Sequence, residues 1–153
     1  MQHPDSYFME QAIRLSANGR PLSPPNPAVG CVIVRDGEII ASGFTQKAGG
    51  HHAEIEALTD AEKRGVNIEG ATVYVTLEPC PMCTGAIAHA RIARVVFGAS
   101  DEKAGAFGSA TSLSTDPALQ RRIRATHGVC AAEAAALLRN FFDSRRTARE
   151  GEI

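Results

Sequence analysis

Apolar positions near the start of the chain, Phe8, Ala12, Ile13 and Leu15, fall mostly on one face of a 3.6-residue period. They predict a helix capped by Asp5 and stopped at Asn18-Gly19. The stretch from Pro21 to Pro27 holds four prolines and predicts an irregular loop. Ala28 to Arg35 and Glu38 to Thr45 read as two strands joined by Asp36-Gly37, a strong hairpin turn signal. A glycine-bearing loop from Gln46 to His51 feeds a helix from His52 to Arg64. Thr72 to Thr76 is a third strand, Pro81 to Ala90 a helix with proline in its first turn, and Arg94 to Gly98 a fourth strand. Ile123 to Thr126 gives a short fifth strand, and Ala131 to Arg146 an Ala- and Leu-rich final helix. The order of helix, hairpin, then alternating helix and strand predicts an α/β architecture, a mixed sheet covered by helices on both faces.

Composition narrows this to one small domain over residues 1–153, with 44% hydrophobic residues available for a core. The apolar runs, such as Ala28 to Val34, are too short to span a bilayer, and Met1-Gln2-His3-Pro4-Asp5 lacks the basic and apolar blocks of a signal peptide. The expected location is the cytoplasm, with no membrane partner. Four cysteines suit a reducing compartment better than a disulfide framework, and Cys31 and Cys130 are expected to be buried thiols. A net charge of −1 gives no global footprint of a nucleic-acid binder. Residues 118–153 carry seven arginines against four acids, a modest patch that a solvated helix face also explains.

The chemistry is concentrated in two short segments. His52-Ala53-Glu54 is followed, with Pro79 standing 25 positions beyond Glu54, by Pro79-Cys80-Pro81-Met82-Cys83. One imidazole and two thiolates are three good zinc ligands, and a missing fourth protein ligand is what lets a catalytic zinc hold a water. Glu54 is placed to face that water without binding the metal, as a general acid/base would. Both segments fall at predicted helix starts, where the positive end of the helix favours thiolates over thiols. A thioredoxin-like dithiol would explain Cys80 and Cys83 but leaves His52 and Glu54 without a role. His51 competes with His52 for the ligand position, and the spacing to Glu54 selects His52. His51 is then a surface residue or a wall of the substrate entrance.

His-x-Glu followed by Pro-Cys-x-x-Cys is the known signature of zinc-dependent base deaminases, and the chain resembles the cytidine deaminase superfamily from Tyr7 to Arg146. Its first third, Ser23 to Val34 with Gly43-Phe44-Thr45-Gln46 and Gly49-Gly50-His51-His52-Ala53-Glu54, is similar to the deaminase domain of the riboflavin-biosynthesis deaminase/reductase. The later part resembles bacterial tRNA adenosine deaminase, through Tyr74 to Cys83, Gly85-Ala86-Ile87, Ala90-Arg91-Ile92, Arg94 to Ala99, Asp101, Lys103 to Ala106, Gly108-Ser109, Phe141-Phe142 and Arg145-Arg146. Cys80 and Cys83 stand closer together than in the riboflavin branch, and Thr45 and Gly49-Gly50-His51 depart from the tRNA branch.

The resemblance implies a three-layer α/β/α cytidine-deaminase-like fold with a mixed five-stranded sheet, one zinc per chain held by His52, Cys80 and Cys83, and a homodimer paired through helices near the metal. It implies hydrolytic removal of an exocyclic amine from a nucleobase-like heterocycle, with Glu54 as proton shuttle. In the substrate contacts it implies, the Ala53 N–H meets a ring atom, carbonyls near Glu78 and Pro79 receive the leaving amine, and Asn26 holds the base or sugar. Asp101, with Lys103, lines the pocket mouth or decorates a loop. Phe107 stacks on a base or packs in its loop, and Phe141-Phe142 is a helix anchor or a stacking platform beside Arg145 and Arg146. The expected substrate is a small molecule, a free aminopyrimidine nucleotide of the riboflavin-pathway type. The alternatives are the wobble adenosine of tRNA and, from another class, a noncatalytic zinc-stabilised nucleic-acid-binding module.

Overall fold

In the computed structural model, residues 3–20, 27–47, 49–119 and 123–150 are described, the last seven by their backbone alone. Five strands, β1 (Gly30–Arg35), β2 (Glu38–Phe44), β3 (Thr72–Leu77), β4 (Arg94–Ala99) and β5 (Arg124–Thr126), form one sheet in the order β2-β1-β3-β4-β5. β1 runs antiparallel to both β2 and β3, whereas β3, β4 and β5 are parallel. The expected mixed sheet is therefore present. Its hairpin turns through Asp36 at φ 51° and Gly37 at φ 78°, the left-handed pair that a two-residue turn matching strand twist requires.

Four helices cover the two faces: α1 (Asp5–Ser16), α2 (Ala53–Lys63), α3 (Pro81–His89) and α4 (Ala131–Glu150). The two-residue side-chain period of a strand explains the division. Cys31, Ile33, Val73, Val75, Val95 and Phe97 point to one face and pack with Ala53, Ala57 and Ala61 of α2 and Ile87 and Ala88 of α3. Val32, Val34, Tyr74 and Val96 point to the other and meet Phe8, Met9 and Ala12 of α1. Since both faces are buried, the strands read as continuous apolar runs.

α2 lies close against the hairpin because its inner face is alanine and the strand opposite carries Gly43. A Cβ there would stand 2.4 Å from the Ala57 nitrogen and 2.5 Å from the Ala53 carbonyl oxygen. This close approach sets the depth of the α2 N-terminus relative to the sheet. On α3, Pro81 and Met82 face outward, Met82 at 59% exposure, and Gly85 has open space around it.

Several boundaries move. The first strand begins at Gly30, with Ala28 and Val29 in the preceding loop; β3 and β4 each run one residue further, to Leu77 and Ala99; the last helix continues to Glu150. His52 and Cys80 are cap residues with extended backbone, not members of the helices. α1 ends at Ser16 and tightens into a 3₁₀ turn over Ala17–Gly19. Asn26, Arg121 and Arg122 lie outside the described residues, as do the side chains of Arg145 and Arg146.

Two expectations are corrected. Cys130 is only partly buried: it sits at φ 54° in the turn before α4, its sulfur 3.8 Å from the Ser6 carbonyl oxygen. Asp5 is not the cap of α1. Pro4 occupies that position without a side-chain cap bond, and the Asp5 carboxylate instead accepts from Arg94 at 2.9 and 2.6 Å and from the Tyr74 hydroxyl at 2.7 Å. A bidentate, charge-assisted pair outweighs one capping bond.

The Arg94 guanidinium holds the Asp5 carboxyl below its ordinary value. A depressed folded pKa contributes stability that is present above the unfolded value, near 3.9, and lost as pH falls through the folded value. The pair is partly exposed, so solvent screening limits its worth. Asp5→Asn is expected to lower unfolding stability by about 1–2 kcal/mol at pH 7, with a smaller difference at pH 2.5, below the unfolded value. Urea unfolding at the two pH values tests this, and an equal deficit at both would refute the charge linkage.

Candidate active site and metal centre

Two helix starts converge at the ends of β2 and β3. His52 precedes the first residue of α2 and Cys80 the first residue of α3, while Cys83 lies in the first turn of α3. The Cys80 carbonyl accepts from both the amide and the hydroxyl of Thr84, each at 2.9 Å, which fixes the strand-to-helix corner. The His52 carbonyl likewise accepts from the Glu56 amide at 3.0 Å.

His52 Nδ1 lies 3.6 Å from Cys80 Sγ and 3.5 Å from Cys83 Sγ, and the three ligand atoms lie within 4.8 Å of one another. Tetrahedral zinc with bonds of about 2.3 Å to sulfur and 2.0–2.1 Å to nitrogen requires nitrogen-to-sulfur edges of roughly 3.6 Å. The donors therefore fit zinc in both chemistry and spacing. The hydrogen bond from Cys83 to Cys80 draws the Cys80 thiol down to about 5, and the same bond together with burial pushes Cys83 far up. The bond thus favours the thiolate on Cys80, the form that binds metal.

Glu54 is buried, at 5% exposure, one residue into α2. Burial raises its pKa to about 7, with the neighbouring Cys80 charge adding to the rise. A carboxyl titrating near the working pH suits both taking and returning a proton.

These groups open into a cavity of about 340 Å³ lined by residues that include Val29, Thr45, Lys47, His51, His52, Ala53, Glu54, Leu77, Glu78, Cys80, Asp101 and Ala104. Such a volume lies within the range of small-molecule sites, about 300–1,000 Å³. The cavity thus gathers His52, Cys80, Glu54, Ala53, Glu78 and Asp101, and Cys83 lies fully buried. His51 is among the residues lining the cavity although its side chain is exposed, and its Nδ1 stands 3.1 Å from a Glu56 carboxylate oxygen.

Other residues are placed differently. The Pro79 carbonyl accepts from the Ala106 amide at 2.8 Å. Phe107 is outside the lining, its ring centroid 5.9 Å from that of Phe97 and its side chain packed on the inner core. Lys103 is also outside, and its neighbour Ala104 faces the cavity. Phe141 and Phe142 make an edge-to-face pair, with Phe142 exposed.

Two side chains have structural roles that the sequence did not announce. Thr45 is buried, and its hydroxyl oxygen accepts from the Val29 amide at 2.8 Å, locking together two cavity-lining segments. Its signal is a polar residue directly after the second strand. The Glu78 side chain is turned toward the loop after β4. Burial acts to raise its pKa, but hydrogen bonds from Ser109, Phe107 and Asp101 outweigh burial and hold the carboxyl below its ordinary value.

Residues 2–99 match the family model described as the cytidine and deoxycytidylate deaminase zinc-binding region. The chain is 41% identical over 149 residues to riboflavin biosynthesis protein RibD of Escherichia coli (strain K12), covering 94% of this chain and 39% of that protein. It is 37% identical over 147 residues to the tRNA-specific adenosine deaminase of Streptococcus pyogenes serotype M1, covering 92% of this chain and 85% of that protein. The solved structure of Acinetobacter baumannii RibD, form 1, superposes with a TM-score of 0.75 at 37% identity, covering 90% of this chain and 38% of that one. The chain therefore spans about two-fifths of the length of the RibD proteins it matches.

Proposed function

The chain belongs to the cytidine and deoxycytidylate deaminase zinc-binding family, and from that premise we propose that it hydrolyses the exocyclic amine of a free aminopyrimidine nucleotide, as in the riboflavin-type branch. Water supplies the oxygen, the ring carbon–nitrogen bond breaks, and the products are a ring carbonyl and ammonia. Zinc, when bound by His52, Cys80 and Cys83, supplies the Lewis acidity that brings the pKa of water near 7. Glu54 takes the proton released as the water oxygen adds to the amino-bearing carbon. The same carboxyl passes protons to the ring nitrogen and to the departing amine. The Ala53 amide, in the first turn of α2 with no carbonyl behind it in the helix, is available to a polar ring atom. Val29, Leu77 and Ala104 keep the pocket walls apolar.

The observation that carries the pyrimidine reading is the composition of the entrance wall. Thr45, Gln46, Lys47, Gly49, Gly50 and His51 line the cavity, and all of these but Lys47 lie in the stretches that resemble the riboflavin branch. What matches the tRNA branch divides: Leu77, Glu78, Cys80, Asp101 and Ala104 also line the cavity, whereas Val75, Ile87, Val95 and Phe97 are core residues. Binding discrimination comes from groups that touch the ligand, so the wall weighs more than the scaffold.

The competing reading, a tRNA wobble-adenosine deaminase, draws on 37% identity along most of such an enzyme. Ammonia release across a panel of substrates separates the two: diaminopyrimidine ribosyl phosphate, cytidine, dCMP, free purines and a tRNA anticodon hairpin. The expected result is turnover of a pyrimidine nucleotide with a shallow salt dependence, since only one or two phosphates are held. Deamination of the hairpin loop, with affinity falling steeply in salt and lost on truncation after Phe142, would overturn it. A zinc-loaded protein that releases ammonia from no substrate would favour the noncatalytic module.

A further inference from the structure

Of the carboxylates that border the cavity, Glu54 and Glu78 have opposite surroundings. The Glu54 carboxyl accepts from its own backbone amide and from Cys83, within the metal site, whereas every acceptor position of Glu78 is taken by one loop. Glu78 Oε1 accepts from the Asp101 amide at 3.2 Å and from the Ser109 hydroxyl; Oε2 accepts from the Phe107 amide at 2.9 Å and the Ser109 amide at 3.2 Å. Four donors fill the roughly four lone-pair sites of an ionised carboxylate. Glu78 is 3% exposed, so these bonds are made away from water, and leaving any one of their donors unpaired there is costly.

The strand-to-helix corner that carries Cys80 is tied further, once to the end of β4 and once to the same loop. The Glu78 amide donates to the Ala99 carbonyl at 2.9 Å and the Ala106 amide to the Pro79 carbonyl at 2.8 Å. Gly105 lies so close that a Cβ would stand 2.4 Å from the Glu78 carboxyl carbon and 2.5 Å from the Asp101 carbonyl oxygen. Within the loop, the Asp101 side chain accepts from the amides of Lys103 and Ala104, both at 3.1 Å, which orients those residues as one turn. Asp101 and Ala104 are the loop residues that reach the cavity, facing the 45–51 wall.

We propose that Glu78 is a positioning residue: its carboxylate gathers the loop of residues 101–109 onto the corner of the metal site, so that Asp101 and Ala104 stand as the far wall of the substrate cavity. Saturated as it is, Glu78 takes no part in proton transfer. It sets how tightly substrate is held rather than how fast the bond breaks. The kinetic half of this inference rests on the deaminase reading above; the structural half does not.

The test uses the zinc-loaded full chain with Glu78→Gln. The amide side chain has one oxygen and places an NH₂ among the four donors, so about half of the bonds are lost. Hydrogen exchange at the Phe107 and Ser109 amides is expected to accelerate at least tenfold, with zinc content and the absorption spectrum of the Co²⁺-substituted protein unchanged. With the panel compound that wild type turns over fastest, KM is expected to rise about tenfold while kcat stays within about threefold. Gly105→Ala, which pushes the loop off an intact carboxylate, should reproduce the pattern. Ser109→Ala, the milder change, should give a smaller shift of the same kind. Unchanged exchange, loss of zinc, or a fall in kcat at constant KM would each overturn the proposal. Should wild type deaminate no panel member, the substrate reading fails, and the exchange and metal measurements still decide the role of Glu78.

Discussion

Glu54→Gln is expected to lower deamination by about three to five orders of magnitude while leaving the fold and the bound zinc in place. The substitution keeps the shape of a side chain that is 5% exposed and packed at the start of α2, so no cavity opens. It does not touch the residues placed to hold the metal, His52, Cys80 and Cys83. What it removes is a group able to accept a proton from water and to return it. An amide cannot do this at neutral pH, and the other carboxylates at the cavity, Glu78 and Asp101, accept from loop donors. General acid/base catalysis by one positioned residue supplies about 10²–10⁴, and activation of the attacking water is lost with it. Ammonia release per bound zinc, with metal measured on the same sample, is the check. Activity within tenfold of wild type would rule out Glu54 as the shuttle; loss of zinc would show that its role is structural.

The metal centre was legible because its parts are local. His52 and Glu54 share one helix start, and Cys80 and Cys83 are three apart on the first turn of another, so spacing along the chain translates directly into spacing in space. The sheet was legible for a similar reason: β1, β3 and β4 are apolar on both faces, and Asp36-Gly37 specifies its own turn. What could not be read was chemistry between distant segments. Asp5 has every local mark of a helix cap, yet its partner Arg94 lies 89 positions away and binds it more strongly than a helix amide would. Nothing adjacent to Glu78 announces that its side chain gathers amides 23 to 31 positions downstream. The partial exposure of Cys130 follows from a left-handed turn that its own residue type does not favour.

Alanine at His52, Cys80 or Cys83 is expected to empty the metal site and abolish turnover, whereas alanine at His51 is expected to keep zinc bound. A three-ligand site has no spare donor: removing one leaves two, below what holds zinc in a catalytic centre, and among the described residues no other His, Cys, Asp or Glu completes the cluster. Cys83 should show the largest effect, being fully buried, since its loss takes away a thiolate and leaves an unfilled space beneath α3. His51 differs in kind although it is adjacent to His52. Its side chain is 60% exposed and its Nδ1 is directed at Glu56 rather than at the two sulfurs. Because zinc binds the folded chain, its stabilisation grows with the ratio of free zinc to the dissociation constant, so chelation should lower the melting temperature of wild type and of His51→Ala. The same chelator should leave the Cys83→Ala melting temperature unchanged, there being no bound metal to remove. Full zinc retention in His52→Ala, or zinc loss in His51→Ala, would move the imidazole ligand one residue upstream and take the spacing to Glu54 with it.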